Sequence, residues 1–207
     1  MNLWDAHKAL HTEGLVRWSQ GNASVRAGDY LHIKPSGAEC SKPIDDFAFV
    51  RLSDGEHDVA PVPSTDFEAH RYIYNHLPDI HAVVHTHSTY ASAFAVAHRP
   101  IPCCMTMMAD EFGGDVPVSR VCEIGNEAIG AEVVRLYKMT GRPAMLIAAH
   151  GVFTLGKTID AAVKAAVITE EAAKVAFLAA RMGNVYTLPQ ADIDANFKRY
   201  QSTYGQP

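Results

Sequence analysis

The spacing of apolar and polar positions changes several times along the chain, and each change marks an element. Residues 3–12 read as a helix that ends near Gly14. Short strand-like stretches at 22–25 and 30–33 flank the turn Ala27-Gly28-Asp29, and 47–52 is a third strand stopped by Asp54-Gly55. Pro63-Ser64-Thr65-Asp66-Phe67-Glu68 opens a helix in which Thr65 and Glu68 have capping-box spacing. That helix runs to about His76 and stops before Pro78. A strand at 82–87 is followed by a short helix from about Thr89. Residues 103–108 are a further apolar run, and Gly113-Gly114-Asp115 is a loop. A helix over 126–139 ends at Gly141, and 144–149 is a strand. A long Ala-rich helix over 159–181 closes at Gly183, and a last helix at 191–200 precedes the tail.

Interspersed strands and helices place the chain in the α/β class. The hairpin-linked strands before residue 52 predict a largely antiparallel or mixed sheet flanked by helices. With 207 residues, 48% of them hydrophobic, the chain can bury one substantial core, and no linker, repeat or low-complexity segment divides it. One domain spanning 1–207 is expected. A net charge of −5 leaves no basic footprint for nucleic acid, although a local pocket can still be cationic enough for a phosphorylated substrate. Cys40, Cys103, Cys104 and Cys122 form no C-x-x-C pair and read as reduced thiols of a cytoplasmic protein. Met1 to Asp5 has no basic-then-apolar leader pattern, and no apolar stretch is long enough for a membrane span.

The chemistry concentrates at His85-Thr86-His87, directly after Ala82-Val83-Val84. Strand side chains alternate, so His85 and His87 share a face. His150, after Met145-Leu146-Ile147-Ala148-Ala149, is a plausible third ligand. Three histidines without a fourth protein ligand leave an open coordination position, the arrangement of a catalytic zinc. The spacing alone also fits a pair of hydrogen-bonded core histidines. His7, His11, His32, His57, His70, His76, His81 and His98 have no comparable pattern and read as surface or packing residues. Gly21-Asn22, Lys34-Pro35-Ser36-Gly37 and Ser64-Thr65-Asp66 offer hydroxyls, backbone N–H groups, a helix N-terminus and one cation, all suited to a phosphate. Each is also an ordinary turn or cap, and they have joint meaning only if they converge in space.

The order Gly21-Asn22-Ala23-Ser24, Ile33-Lys34-Pro35-Ser36-Gly37, Pro63-Ser64-Thr65-Asp66, His85-Thr86-His87-Ser88, His150-Gly151 resembles the class II aldolase/adducin family over nearly the whole chain. The resemblance implies a three-layer α/β/α sandwich, with His85, His87 and His150 binding one Zn2+ per subunit. It implies that Asn22, Lys34, Ser36, Gly37, Ser64 and Thr65 bind the phosphate of a small sugar. It also implies a homotetramer with active sites between subunits.

Within the family, Asp66 stands where aldolase members carry Glu, and in this the chain is similar to the L-ribulose-5-phosphate 4-epimerase members. Thr106-Met107-Met108-Ala109-Asp110 matches the segment bearing their catalytic acid/base, which assigns Asp110 to that role and Thr106 beside it. Tyr204-Gly205-Gln206 is similar to the ending whose Tyr reaches a neighbouring subunit as second acid/base, and Arg199 aligns with a basic residue near the phosphate. Thr65 replaces a Ser and keeps the hydroxyl, whereas Glu111 and Gly113 replace bulky aromatics and alter the pocket wall. Asn196 stands nearest to a family His. The implied reaction is zinc-dependent retro-aldol cleavage and recombination at C3–C4 of a sugar phosphate. A class II aldolase that releases the fragments is the alternative, and a non-catalytic adducin-like module is a third. Without the resemblance, Asp110 is a loop-capping carboxylate and Tyr204 a tail residue.

Overall fold

The computed structural model of the protein describes residues 1–203. Its elements run α1 (Leu3–Thr12), β1 (Asn22–Ala27), β2 (Tyr30–Ile33), β3 (Ala48–Arg51), α2 (Phe67–His76), β4 (Ala82–Thr86), α3 (Thr89–Val96), α4 (Thr106–Phe112), β5 (Val118–Val121), α5 (Ala128–Thr140), β6 (Ala144–Ala148), β7 (Gly151–Gly156), α6 (Ile159–Met182) and α7 (Gln190–Thr203). The strands form one seven-stranded sheet in the order β3-β2-β1-β4-β7-β6-β5. Every pairing is antiparallel except β5 with β6, so the expected mixed, largely antiparallel sheet is what forms.

Alternation along β4 assigns the layers. Val83 packs with Phe153, Leu155 and the apolar sides of α2 and α5. Ala82 and Val84 face the other way, against α1 and α6. Ala144, Leu146 and Val152 join α3, α4 and α6 on that second side. The result is the α/β/α sandwich, with both sheet faces covered and β4, β6 and β7 buried along their whole length. No helix among the described residues is long and apolar enough to cross a membrane.

Local chemistry departs from expectation at several points. The capping box does not form, because α2 starts after Asp66, which makes no side-chain cap bond. Glu68 instead accepts from Arg71 Nε at 2.8 Å. The helix thus gives up a cap worth about 1 kcal/mol and leaves the Asp66 carboxylate available to the site. Strands β5 and β7 and helix α4 are additional to the expected elements. Strand β7, Gly-Val-Phe-Thr-Leu-Gly, is buried on both faces, so it shows no alternation. The last helix continues to Thr203 rather than ending at Tyr200.

Candidate functional site

The site sits where β1 begins and β4 ends. Asn22 is in register with His85, and His85 with Phe153, so antiparallel pairing sets these side chains on one face. Gly21 permits this close start: its φ is +68°, and a Cβ there would meet Val16 at 2.6 Å and the His85 carbonyl at 2.7 Å. His87 lies just past β4. His150 lies in the turn between β6 and β7, where Ala149 adopts φ 58°, a left-handed conformation that costs a non-glycine residue about 1–2 kcal/mol.

The three histidines converge, with one ligand atom from each lying within 4.8 Å of the others. His85 is stacked between the Phe153 ring, 4.5 Å away between centroids, and the His150 ring at 4.8 Å. Its Nδ1–H donates to the Val152 carbonyl at 2.9 Å, which fixes the tautomer and bares Nε2 toward His87 Nε2, also at 2.9 Å. His150 Nε2 is buried and meets no hydrogen-bond partner among the described residues. A buried nitrogen without a partner beside two inward-turned imidazole nitrogens is the donor set a divalent ion would satisfy, and the three could hold one. Burial pushes His85 down to about 3, and burial likewise lowers His87 and His150, so all three are neutral near pH 7, as a metal ligand must be.

Asp66 completes the inner site, its Oδ2 lying 3.9 Å from His85 Nε2. Asn22 Nδ2 donates to that Oδ2 at 2.7 Å and to Ser64 Oγ at 3.0 Å. Burial works to raise the Asp66 carboxyl, but the attraction between its charge and a proton taken up on His85 or His70, together with the Asn22 hydrogen bond, outweighs it and holds the group below the usual carboxylate range. The expected loops do converge. Asn22, Lys34, Ser36, Gly37, Ser64 and Thr65 line one cavity of about 480 Å3 together with Asp66, His87 and His150. Lys34 is buried, and its Nζ donates to the carbonyls of Ser19 at 2.9 Å and Ala38 at 2.7 Å, so it ties two cavity loops together as well as charging the wall.

Thr106, Asp110 and Arg199 do not line this cavity. Thr106 and Asp110 lie on α4, where Asp110 Oδ1 accepts from Arg199 Nη2 of α7 at 3.0 Å. Tyr204 lies outside the described residues. Asn196 Nδ2 donates within α7, to the Asp192 carbonyl. The two departures in the α4 segment are absorbed by packing: Glu111 pairs with Lys164 at 2.9 Å, and the Phe197 ring lies 3.1 Å from where a Gly113 Cβ would be. Ser19, Gln20, Ile124 and Gly125 also line the cavity. Sequence reasoning missed them because loop residues carry no periodic signal, although Ser19 and Gln20 precede the recognised Gly21-Asn22 directly. His7 and His70, read as surface or packing residues, are fully buried.

Comparison with known proteins agrees with this geometry. Residues 1–177 match the class II aldolase and adducin N-terminal domain. A 5-methylthioribulose-1-phosphate/5-deoxyribulose-1-phosphate aldolase of Rhodospirillum rubrum is 35% identical over 205 residues, covering 98% of this chain and 90% of that protein. The L-ribulose-5-phosphate 4-epimerase UlaF of Salmonella paratyphi C is 34% identical over 189 residues, 86% of this chain and 83% of its own. An L-fuculose 1-phosphate aldolase structure superposes with a TM-score of 0.89 at 26% identity, covering 96% of this chain and 94% of that one. With its sheet, histidine cluster and polar loops arranged in this order, the chain belongs to the class II aldolase and adducin N-terminal domain family.

Proposed function

We propose that the protein is a zinc-dependent enzyme that breaks and re-forms a carbon–carbon bond of a sugar phosphate, with 4-epimerisation of L-ribulose 5-phosphate as its reaction. The observation that carries this reading is the meeting of His85, His87 and His150 with an ionised Asp66 in a cavity walled by hydroxyls, amides and Lys34. The C4 hydrogen of a ketopentose is not next to the carbonyl, so simple proton abstraction cannot invert C4. Cleavage at C3–C4, rotation of the aldehyde and re-addition to its other face does invert it. His85, His87 and His150 would hold a divalent ion, which would supply Lewis acidity for the negative charge that builds on the carbonyl side of the breaking bond.

The chain's own groups do the rest. Ser36, Gly37, Ser64 and Thr65, with the N-terminus of α2 and Lys34, bind the phosphate, and Asn22 supports that wall by holding Ser64 and Asp66 with its two amide hydrogens. Asp66 orients a substrate hydroxyl. Two proton-transfer groups are needed on opposite faces of the aldehyde. Asp110 takes one face, with Thr106 and Arg199 beside it, and Tyr204 of a neighbouring subunit takes the other. Asp110 lies away from the cavity within one protomer, which favours a homotetramer whose sites form between subunits.

A second reading, an aldolase that releases its fragments, is favoured by the identity to the Rhodospirillum rubrum aldolase along 98% of the chain. Three inward-turned histidines speak against a non-catalytic module, which has no use for them. The test is incubation of the zinc-loaded protein with L-ribulose 5-phosphate, following D-xylulose 5-phosphate. Conversion supports the epimerase. No conversion, with steady release of aldehyde from 5-methylthioribulose 1-phosphate, replaces it with the aldolase.

A further inference from the structure

Behind Asp66 runs a line of buried polar groups that neither the metal cluster nor the phosphate loops account for. Asn22 and Ser24 stand two apart on β1 and so point to the same face, toward α2. Ser24 Oγ lies 2.7 Å from His70 Nδ1 and 2.8 Å from Tyr74 Oη. His70 and Tyr74 stand four apart on α2, and Asp66 precedes His70 by the same interval, so all three follow one side of the helix. The His70 backbone N–H also donates to the Asp66 backbone carbonyl, at 3.2 Å. Ser24 and His70 are fully buried and Tyr74 is nearly so.

The hydrogens in this line can be placed. Burial pushes the Tyr74 hydroxyl up, so it keeps its proton, and Ser24 Oγ is the acceptor within its reach. Ser24 then donates to His70 Nδ1. Burial holds the His70 ring neutral, at about 4 despite the attraction of Asp66, so its one hydrogen sits on Nε2. That Nε2–H is buried and meets no partner among the described residues, and the Asn22 Oδ1 is in the same condition. One is a donor and the other an acceptor. Asn22 is also the residue whose amide holds Asp66 at 2.7 Å.

We propose that His70 is a positioning residue for Asp66: Tyr74 and Ser24 fix its tautomer, and its Nε2–H anchors Asn22 through one bridging water, so that the Asn22 amide holds the Asp66 carboxylate toward the metal cluster. A buried donor and acceptor left unpaired would each cost about 1–3 kcal/mol, so joining them is the economical arrangement. The inference rests on the reading that Asp66 takes part in the reaction.

The test has a structural and a kinetic arm. A high-resolution crystal structure of the zinc-loaded protein should show His70 Nε2 joined to Asn22 Oδ1 by one water. Only apolar neighbours around Nε2 would overturn the inference whatever the substrate proves to be. For kinetics, His70→Leu should lower kcat about 10- to 100-fold, with KM and zinc content nearly unchanged. His70→Gln, which restores a side-chain donor, should recover most of the loss. In an Asp66→Asn background His70→Leu should cost little more, because its path through Asp66 is already broken. Equal losses in both backgrounds, or Gln no better than Leu, would overturn it. Should His70→Leu fail to fold, Ser24→Ala keeps the ring and releases its tautomer, and native kcat in that variant is also contrary. Asp66→Asn with full activity would point instead to failure of the Asp66 role itself.

Discussion

Substituting alanine for Gly151 tests whether the β4–β7 contact sets the metal geometry. Gly151 follows His150 and lies against the end of β4, between His85 and His87, the other two proposed ligands. A Cβ there would stand 2.5 Å from the Thr86 carbonyl oxygen and 3.2 Å from His85 Cε1. Ordinary contact begins at 3.4 Å, so the carbonyl must retreat by about 0.9 Å. The Thr86 carbonyl belongs to the peptide that leads into His87, so this retreat moves a ligand. The contact with Cε1 presses the His85 ring at the atom between its two nitrogens. Ligand distances in a metal site are held to about 0.2 Å, so the displacement is several times what the site tolerates.

The expected result is a loss of zinc affinity of about 10- to 100-fold, or about 1.4–2.8 kcal/mol. Overpacking a tight site costs about 1–3 kcal/mol, so the metal-free variant should also be less stable by that order. Competition with a chromophoric chelator gives the affinity, and urea unfolding of the metal-free protein gives the stability. A variant that stays folded and binds zinc within twofold of the native value would refute the reasoning, since it would show that the strand ends part without disturbing the ligands.

The remaining predictions address other parts of the molecule. His7 donates from Nδ1 to the Leu3 carbonyl and accepts the Ala23 N–H at Nε2, so charging it would set hydrogen against hydrogen; burial brings it from 6.5 to about 4. The folded value lies below the unfolded one, so its stabilisation is complete above pH 6.5 and falls by roughly 3 kcal/mol as pH drops to 4; urea midpoints should fall less steeply with acid for His7→Gln, and an identical pH slope would refute this. Lys34→Met leaves the Ser19 and Ala38 carbonyls without their donor and should cost about 1–3 kcal/mol in stability while raising KM for a sugar phosphate; native KM would exclude a role for this wall. Asn22→Leu should lower kcat by tenfold or more, about 1.4 kcal/mol, with zinc content unchanged, as read by metal analysis and steady-state kinetics. Asp110→Asn should suppress epimerisation and keep its zinc; unchanged turnover would remove Asp110 from the mechanism.

Much of this site was legible in the sequence because its chemistry is tied to strand and turn grammar. The i, i+2 spacing of His85 and His87 places two imidazoles on one face wherever that strand goes, and the convergence with His150 follows once β7 pairs with β4. The pairing itself was not legible. β7 is bracketed by glycines and buried on both faces, so it carries neither alternation nor helical period. Thr65 and Glu68 illustrate the opposite failure, a valid local signal that lost to tertiary chemistry: Glu68 pairs with Arg71, and Asp66 is drawn to Asn22. Lys34 was read for its charge alone, since only the folded loops show the two carbonyls its ammonium must satisfy. His70 had no pattern at all, and its significance depends on Ser24, a partner 46 positions away.

These departures share a cause that bears on how the site works. A helix N-terminus usually spends its cap side chain on its own backbone, but α2 leaves Asp66 uncapped, and that carboxylate is bonded to Asn22 and faces His85. Ala149 is held in a conformation a non-glycine residue resists, and it places His150 opposite His85. Each feature costs about 1–2 kcal/mol locally, and the sheet clamped between two helical layers is rigid enough to bear both. Cleavage and recombination of a carbon–carbon bond require the same groups in both directions, so a site of this kind gains from ligands that do not move between steps. The fate of the cleaved aldehyde then depends on what surrounds it. The α4 and α7 residues Asp110 and Arg199 lie outside the cavity of their own protomer, so on the proposed homotetramer the difference between epimerase and aldolase is to be sought where subunits would meet rather than at the histidines.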